Sequence, residues 1–167
     1  MSPSAREKEV LLASLNAQRR HVLGITEGLS HEDMRRPVLP TAWIAAGMVR
    51  HLALDVERFW FRGIVAGEPI ELDRPDDAVW NVGADESVDA VLDLYRHEIE
   101  LANAIITATD PGAAPAWWPE NHFPPGFVMH DLRQIVLHVI TETACHAGHL
   151  DAARELIDGR TWLILTD

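Results

Sequence analysis

Four long stretches of this chain repeat apolar residues at helical spacing, and no stretch sustains the strict alternation of a half-buried strand. Each amphipathic helix must bury its stripe against another element, so the pattern points to helices packed on helices. The first stretch runs over residues 4–27, with Leu11, Leu15, Val22 and Ile25 on one face. Ser4 and Glu7 have capping-box spacing, and Gly28 is a good stop. The second covers 41–66 and places Met48, His51, Leu52, Asp55 and Phe59 on one side before Gly67 and Pro69 end it. The third starts near Ser87 with the stripe Val88, Val91, Tyr95, Ile99, Ala102 and Ile106, and stops at Asp110, Pro111 and Gly112. The fourth covers 129–157, carries Leu132, Ile135, Val139 and Leu150, and ends at Asp158 and Gly159.

Residues 67–86 show no sustained helical period and are long for a hairpin turn, so they read as a crossover connection. "PGAAPAWWPENHFPPGF", rich in proline and aromatics, should pack on the bundle rather than extend freely. The tail "RTWLILTD" fits a short strand or an extended arm. The expectation is an all-α four-helix bundle with long crossover loops, a single domain over 1–167.

Charge and cysteine use narrow the function. Lys and Arg number 14 against 26 Asp and Glu, a net charge of −12. Such a field repels nucleic-acid backbones and anionic membrane surfaces, so neither is expected as a partner. Cys145 is the single cysteine, which rules out an internal disulfide framework and fits a reducing compartment. The first ten residues lack the apolar run of a secretory signal, and no apolar run approaches the roughly 20 residues of a membrane span. The expected location is the cytoplasm.

The fourth stretch holds the unusual chemistry, "HVITETACHAGH", residues 138–149. Glu142 and His146 are four apart and share a helix face. Extending the register Leu132, Ile135, Val139 puts Glu142 in the apolar stripe, where a carboxylate is costly unless paired, protonated or bound to a cation. On that reading, Glu142→Leu stabilises the metal-free protein. A metal needs ligands from a second element, and the second stretch offers His51, four residues after Gly47. Glu142 and His146 span about 6 Å of helical rise, which two side chains can bridge, whereas adding His138 stretches the set to roughly 12 Å. His51, Glu142 and His146 are therefore the candidate ligands. His138 is placed to orient Glu142 by a hydrogen bond, and His149 lies near the open side, where it could contact substrate or shuttle a proton. Two imidazoles and one carboxylate would leave positions for water or substrate, as catalytic rather than closed sites do. The ligand types suit zinc first and nickel second. The plainer reading is a core histidine at His51 and an intrahelical hydrogen bond between Glu142 and His146. Cys145 points about 100° away from His146 and reads as a small packed side chain. Trp43, Phe59, Trp60, Trp117 and Trp118 read mostly as core, with a few free to wall a substrate pocket. Arg19–Arg20 and Arg35–Arg36 read as solvated. His21, His31 and His97 receive no role, and His122 and His130 border the aromatic loop.

"MVRHLALDVERFWF" in the second stretch and "LRQIVLHVITETACHAGHLDAARELIDG" in the fourth resemble the DinB-like superfamily. More narrowly, they resemble the actinobacterial branch related to mycothiol-dependent maleylpyruvate isomerase and the mycothiol S-transferases. The resemblance covers most of the chain. It implies an up-down-down-up four-helix bundle, commonly a homodimer. It carries the family's metal-binding triad onto His51, Glu142 and His146, and implies mycothiol as the thiol cofactor.

Three functions compete. In a metal-dependent thiol S-transferase or isomerase, the metal favours the thiolate, which attacks a small electrophile. In a hydrolase, the same site activates water. In a non-catalytic, stress-related metal-binding protein, the metal turns nothing over.

Overall fold

The computed structural model describes residues 3–71, 79–83, 85–120 and 122–162. Among them are four long helices and no strand. Helix α1 is Pro3–Thr26, and a short 3₁₀ turn, Asp33–Arg35, follows it. Helix α2 starts as an α-helix, Ala45–His51, and continues as Leu52–Val65 with wider, π-type hydrogen bonding. Helices α3 and α4 are Val88–Ala108 and Leu132–Asp158. Each lies within a few residues of the expected stretch. The strand-or-arm alternative for the tail falls largely on 163–167, outside the described residues, as does the part of the crossover at 72–78 and 84.

Side-chain bonds between helices fix their directions. Lys8, early in α1, donates to the carbonyls of Thr107 and Thr109 at the end of α3, 2.8 and 2.9 Å away. Those two helices are antiparallel. Arg133, at the start of α4, grips Glu7. Arg154, near its end, donates to Ile25 and Glu27 carbonyls at 2.9 and 3.0 Å. Thus α1 and α4 are parallel. Arg50 pairs with Glu86 just before α3, and Arg58 and Arg62 pair with Glu98 within it, so α2 and α3 are parallel. The order is up-down-down-up, and a crossover between parallel α2 and α3 is what requires the long connection after Gly67.

Local chemistry explains the helix ends. The Asp131 carboxylate accepts from the Gln134 amide at 2.9 Å and caps α4. Gly159 closes it at φ 77°, a left-handed conformation suited to glycine. Helix α1 has no basic residue in its last turn, and Arg154 reaches across from α4 to satisfy its terminal carbonyls. The Ser4–Glu7 capping box does not form. The helix already includes Pro3, the Ser4 hydroxyl donates to Asp110, and Arg133 holds the Glu7 carboxylate.

The α1 and α3 stripes are buried much as their spacing indicated, including Leu15, Val22, Ile25, Val91, Tyr95 and Ile106. Arg19 corrects the sequence reading. It is 1% exposed, and its guanidinium forks onto the Glu57 carboxylate at 2.5 and 2.7 Å while also reaching Asn16 and Asn103. Burial pushes the Glu57 carboxyl up, and the facing Arg19 charge works against that push. The proline-rich loop does pack on the bundle. The Ala116 and Trp117 amides donate to Val65 and Ile64 carbonyls, and Phe123 stacks on Trp60 with ring centres 5.5 Å apart. Trp117 itself is exposed rather than core.

Candidate metal centre

Helices α2 and α4 run antiparallel, and the first third of α2 lies against the middle of α4. The His51 ring meets the His146 ring edge-on, with centres 5.0 Å apart. Glu142 Oε2 lies 3.5 Å from His146 Nε2. His51, Glu142 and His146 each offer one ligand atom, and these atoms all lie within 4.8 Å of one another. Zinc–nitrogen and zinc–oxygen bonds are about 2.0–2.2 Å, so two ligands on opposite sides of one ion stand at most about 4.4 Å apart. The set could therefore close on a divalent ion with side-chain movements below about an ångström. Two helices supply the three donors, and the remaining side faces a cleft.

The protonation state favours ligation. Burial holds the His146 imidazole below its usual pKa, and the neighbouring His51 adds to that effect, while Glu142 opposes it. A neutral ring keeps a lone pair for a cation. His146 Nδ1 is buried and has no hydrogen-bond partner among the described residues, so the protein alone leaves this imidazole incompletely satisfied. His51 is better held. Its Nδ1 lies 3.0 Å from Asp55 Oδ2, and the Trp80 ring stacks on it at 4.5 Å with 19° between planes. A carboxylate behind a histidine fixes the ring and raises its basicity toward a metal on the other nitrogen. Sequence reasoning placed Asp55 on the His51 side of the helix but gave it no role. The i,i+4 spacing was the available signal.

Gly47 explains how Trp80 reaches His51. A Cβ at this position would lie 2.4 Å from the Trp80 carbonyl oxygen, so only glycine lets that segment cross α2 one turn before the ligand.

The apolar stripe of α4 takes a different path from the one expected. Val139 is followed in the core by Thr143, Ala147 and Leu150. Thr143 fits because its hydroxyl donates to the Val139 carbonyl at 2.7 Å. Glu142 sits at the edge of the core with 41% of its side chain exposed, so the expected gain from Glu142→Leu loses its premise. Cys145 is exposed, not packed.

His138 stands edge-on to Trp60, 4.6 Å between ring centres, and near Phe127. No hydrogen bond joins it to Glu142 among the described residues. Burial pushes its pKa down, and the Glu142 charge pulls the other way. His149 is exposed, 5.6 Å from the His146 ring centre and 6.4 Å from that of Trp43. It borders a cleft of about 560 Å³ together with His146, Trp43, Trp80 and Met48. His21 pairs with Asp151 at 2.8 Å, and His122 tilts onto Phe59; neither joins the site.

Fold and site together define an all-α bundle carrying ligands that could hold a divalent metal at the mouth of a cleft. The family model for mycothiol-S-transferase matches residues 10–159, and the chain belongs to that family. The matched span includes all three candidate ligands and the cleft. Comparisons with curated proteins and with solved structures return no match. No helix among the described residues is long and apolar enough to cross a membrane.

Proposed function

We propose that the protein is a metal-dependent thiol S-transferase, with mycothiol as the thiol and a small electrophile as the second substrate. The convergence of His51, Glu142 and His146 beside an accessible cleft, in a chain of this family, is the observation that carries the reading. A divalent metal, zinc first and nickel second, would favour the thiolate of a bound thiol at neutral pH. His51 and His146 would supply imidazole nitrogens, and Glu142 would offset part of the cation's charge. Asp55 and Trp80 hold His51 in place from two sides. His149, at the open side, exchanges the thiol proton with solvent. His138 packs against Trp60 and Phe127 and does not bind the metal. We further propose a cytoplasmic homodimer, following the resemblance.

The test is product analysis. Metal-loaded protein, mycothiol and a generic electrophile should give the thioether, and neither omission of thiol nor chelation should leave the rate intact. Consumption of an ester or amide without thiol would identify a hydrolase. Bound metal with no turnover of any electrophile would identify a binding protein.

A further inference from the structure

The cleft beside the candidate ligands has a chemical character of its own. Two indoles flank it: Trp80 lies flat on His51, and Trp43 stands by His149. Met48 and Ala42 add apolar surface, and Thr41 and Asn81 supply neutral polar groups. No lysine or arginine lines it among the described residues. The nearest arginine on α2, Arg50, turns to Glu86 at 2.6 Å and lines a different cavity. Apart from the metal itself, an anionic electrophile would thus find no lysine or arginine on the described walls, and it would approach a chain of net charge −12.

The wall carrying Trp43 is held in a costly conformation. Ala42 has φ 58°, the left-handed region that a non-glycine residue seldom adopts. Its amide donates to the Leu39 carbonyl at 2.9 Å, closing a turn immediately before Trp43. Backbone strain of this kind persists where surrounding structure fixes it, commonly beside a ligand site.

We propose that the second substrate is an uncharged aromatic electrophile, such as an aryl halide, whose ring is bound against Trp43 and Trp80. This rests on the thiol-transfer reading of the same site. In the reaction the thiolate sulfur forms a bond to the ring carbon and the carbon–halogen bond breaks. The halide leaves with its electron pair, and the proton of the thiol passes to solvent. A flat ring gains stacking and apolar burial from the two indoles, while a charged group on that ring, held against the indoles and away from the metal, loses hydration with no lysine or arginine among the described lining residues.

The test separates the pocket from the chemistry. Metal-loaded protein is dialysed to equilibrium with 1,3-dinitrobenzene, which has no leaving group, and separately with 3-nitrobenzenesulfonate, a similar ring bearing a negative charge. The expected result is that the neutral ring binds at least about tenfold more tightly than the sulfonate, since both rings can stack but only the sulfonate gives up the hydration of a charge. Trp43→Ala should weaken the neutral ring by about tenfold, and Trp43→Phe should recover most of that loss. Equal or tighter sulfonate binding would overturn the proposal, as would a Trp43→Ala variant that folds and binds the neutral ring unchanged. Turnover of 1-chloro-2,4-dinitrobenzene with thiol is measured in parallel. Trp43-dependent binding without turnover leaves the pocket standing and removes the transferase reading. Thiol transfer to other electrophiles, indifferent to Trp43, does the reverse.

Discussion

Replacing Asp55 tests the metal centre without touching a ligand. Asp55 Oδ2 accepts from His51 Nδ1 at 3.0 Å. That bond occupies Nδ1 and leaves the other ring nitrogen for a metal. Removing such a carboxylate costs about 10- to 100-fold in metal affinity. Asp55 has 32% of its side chain exposed and His51 has 18%, so solvent screens part of the interaction. The expected loss for Asp55→Ala is therefore at the low end, about tenfold, or about 1.4 kcal/mol of binding free energy. Asp55→Asn keeps an acceptor oxygen and should lose about half as much on the same scale. The assay is competition for zinc against a chromophoric chelator, read beside the thermal melt of metal-free protein. The melt should barely move, because the pair is partly solvated. Unchanged zinc affinity in Asp55→Ala would refute the idea that this carboxylate positions His51. A large loss of metal-free stability would make Asp55 structural instead.

Three further outcomes follow from the same structure. Gly47→Ala drives a methyl against the Trp80 backbone, so the 79–83 segment must retreat by about an ångström; the melt should fall by about 1–3 kcal/mol, and zinc affinity should fall with the lost ring contact. Glu57→Gln or Arg19→Met alone strands a buried partner and should cost about 3–5 kcal/mol, whereas the paired Arg19→Met, Glu57→Leu variant should recover much of it in urea titrations. His138 and His146 have folded pKa values below the ordinary 6.5, so the unfolded chain binds more protons in the window just below that value. Metal-free stability is thus complete above about pH 6.5 and falls as the solution is acidified through and below it, and His138→Phe should flatten that slope in melts recorded between pH 7 and 5.

The helices were legible because their stripes are long and nearly unbroken, and the turn-forming glycines at 28, 67 and 159 mark real ends. Glu142 and His146 were legible as neighbours because one-turn spacing on a helix is a strong geometric constraint, whereas His51, on another helix, was reached only through its apolar register and the family resemblance. What sequence spacing did not reveal was which polar residues the core accepts. Thr143 enters it by bonding its own helix, and Arg19 enters it because Glu57 waits 38 residues away, a partnership no local pattern displays. The π-type winding of Leu52–Val65 is likewise a property of hydrogen-bond register, not of composition. Gly47 stood in plain view, but its reason is the Trp80 backbone, more than 30 residues along the chain.

The central claim is that His51, Glu142 and His146 hold one divalent ion. Elemental analysis of protein purified without a histidine tag tests it most directly. About one zinc or nickel per chain is expected in the unaltered protein and in His138→Ala and His149→Ala. Little or none is expected in His51→Ala, Glu142→Gln and His146→Ala, with all variants folded by circular dichroism. A chain that carries no metal and takes up no zinc would contradict it, as would full occupancy in all three ligand variants.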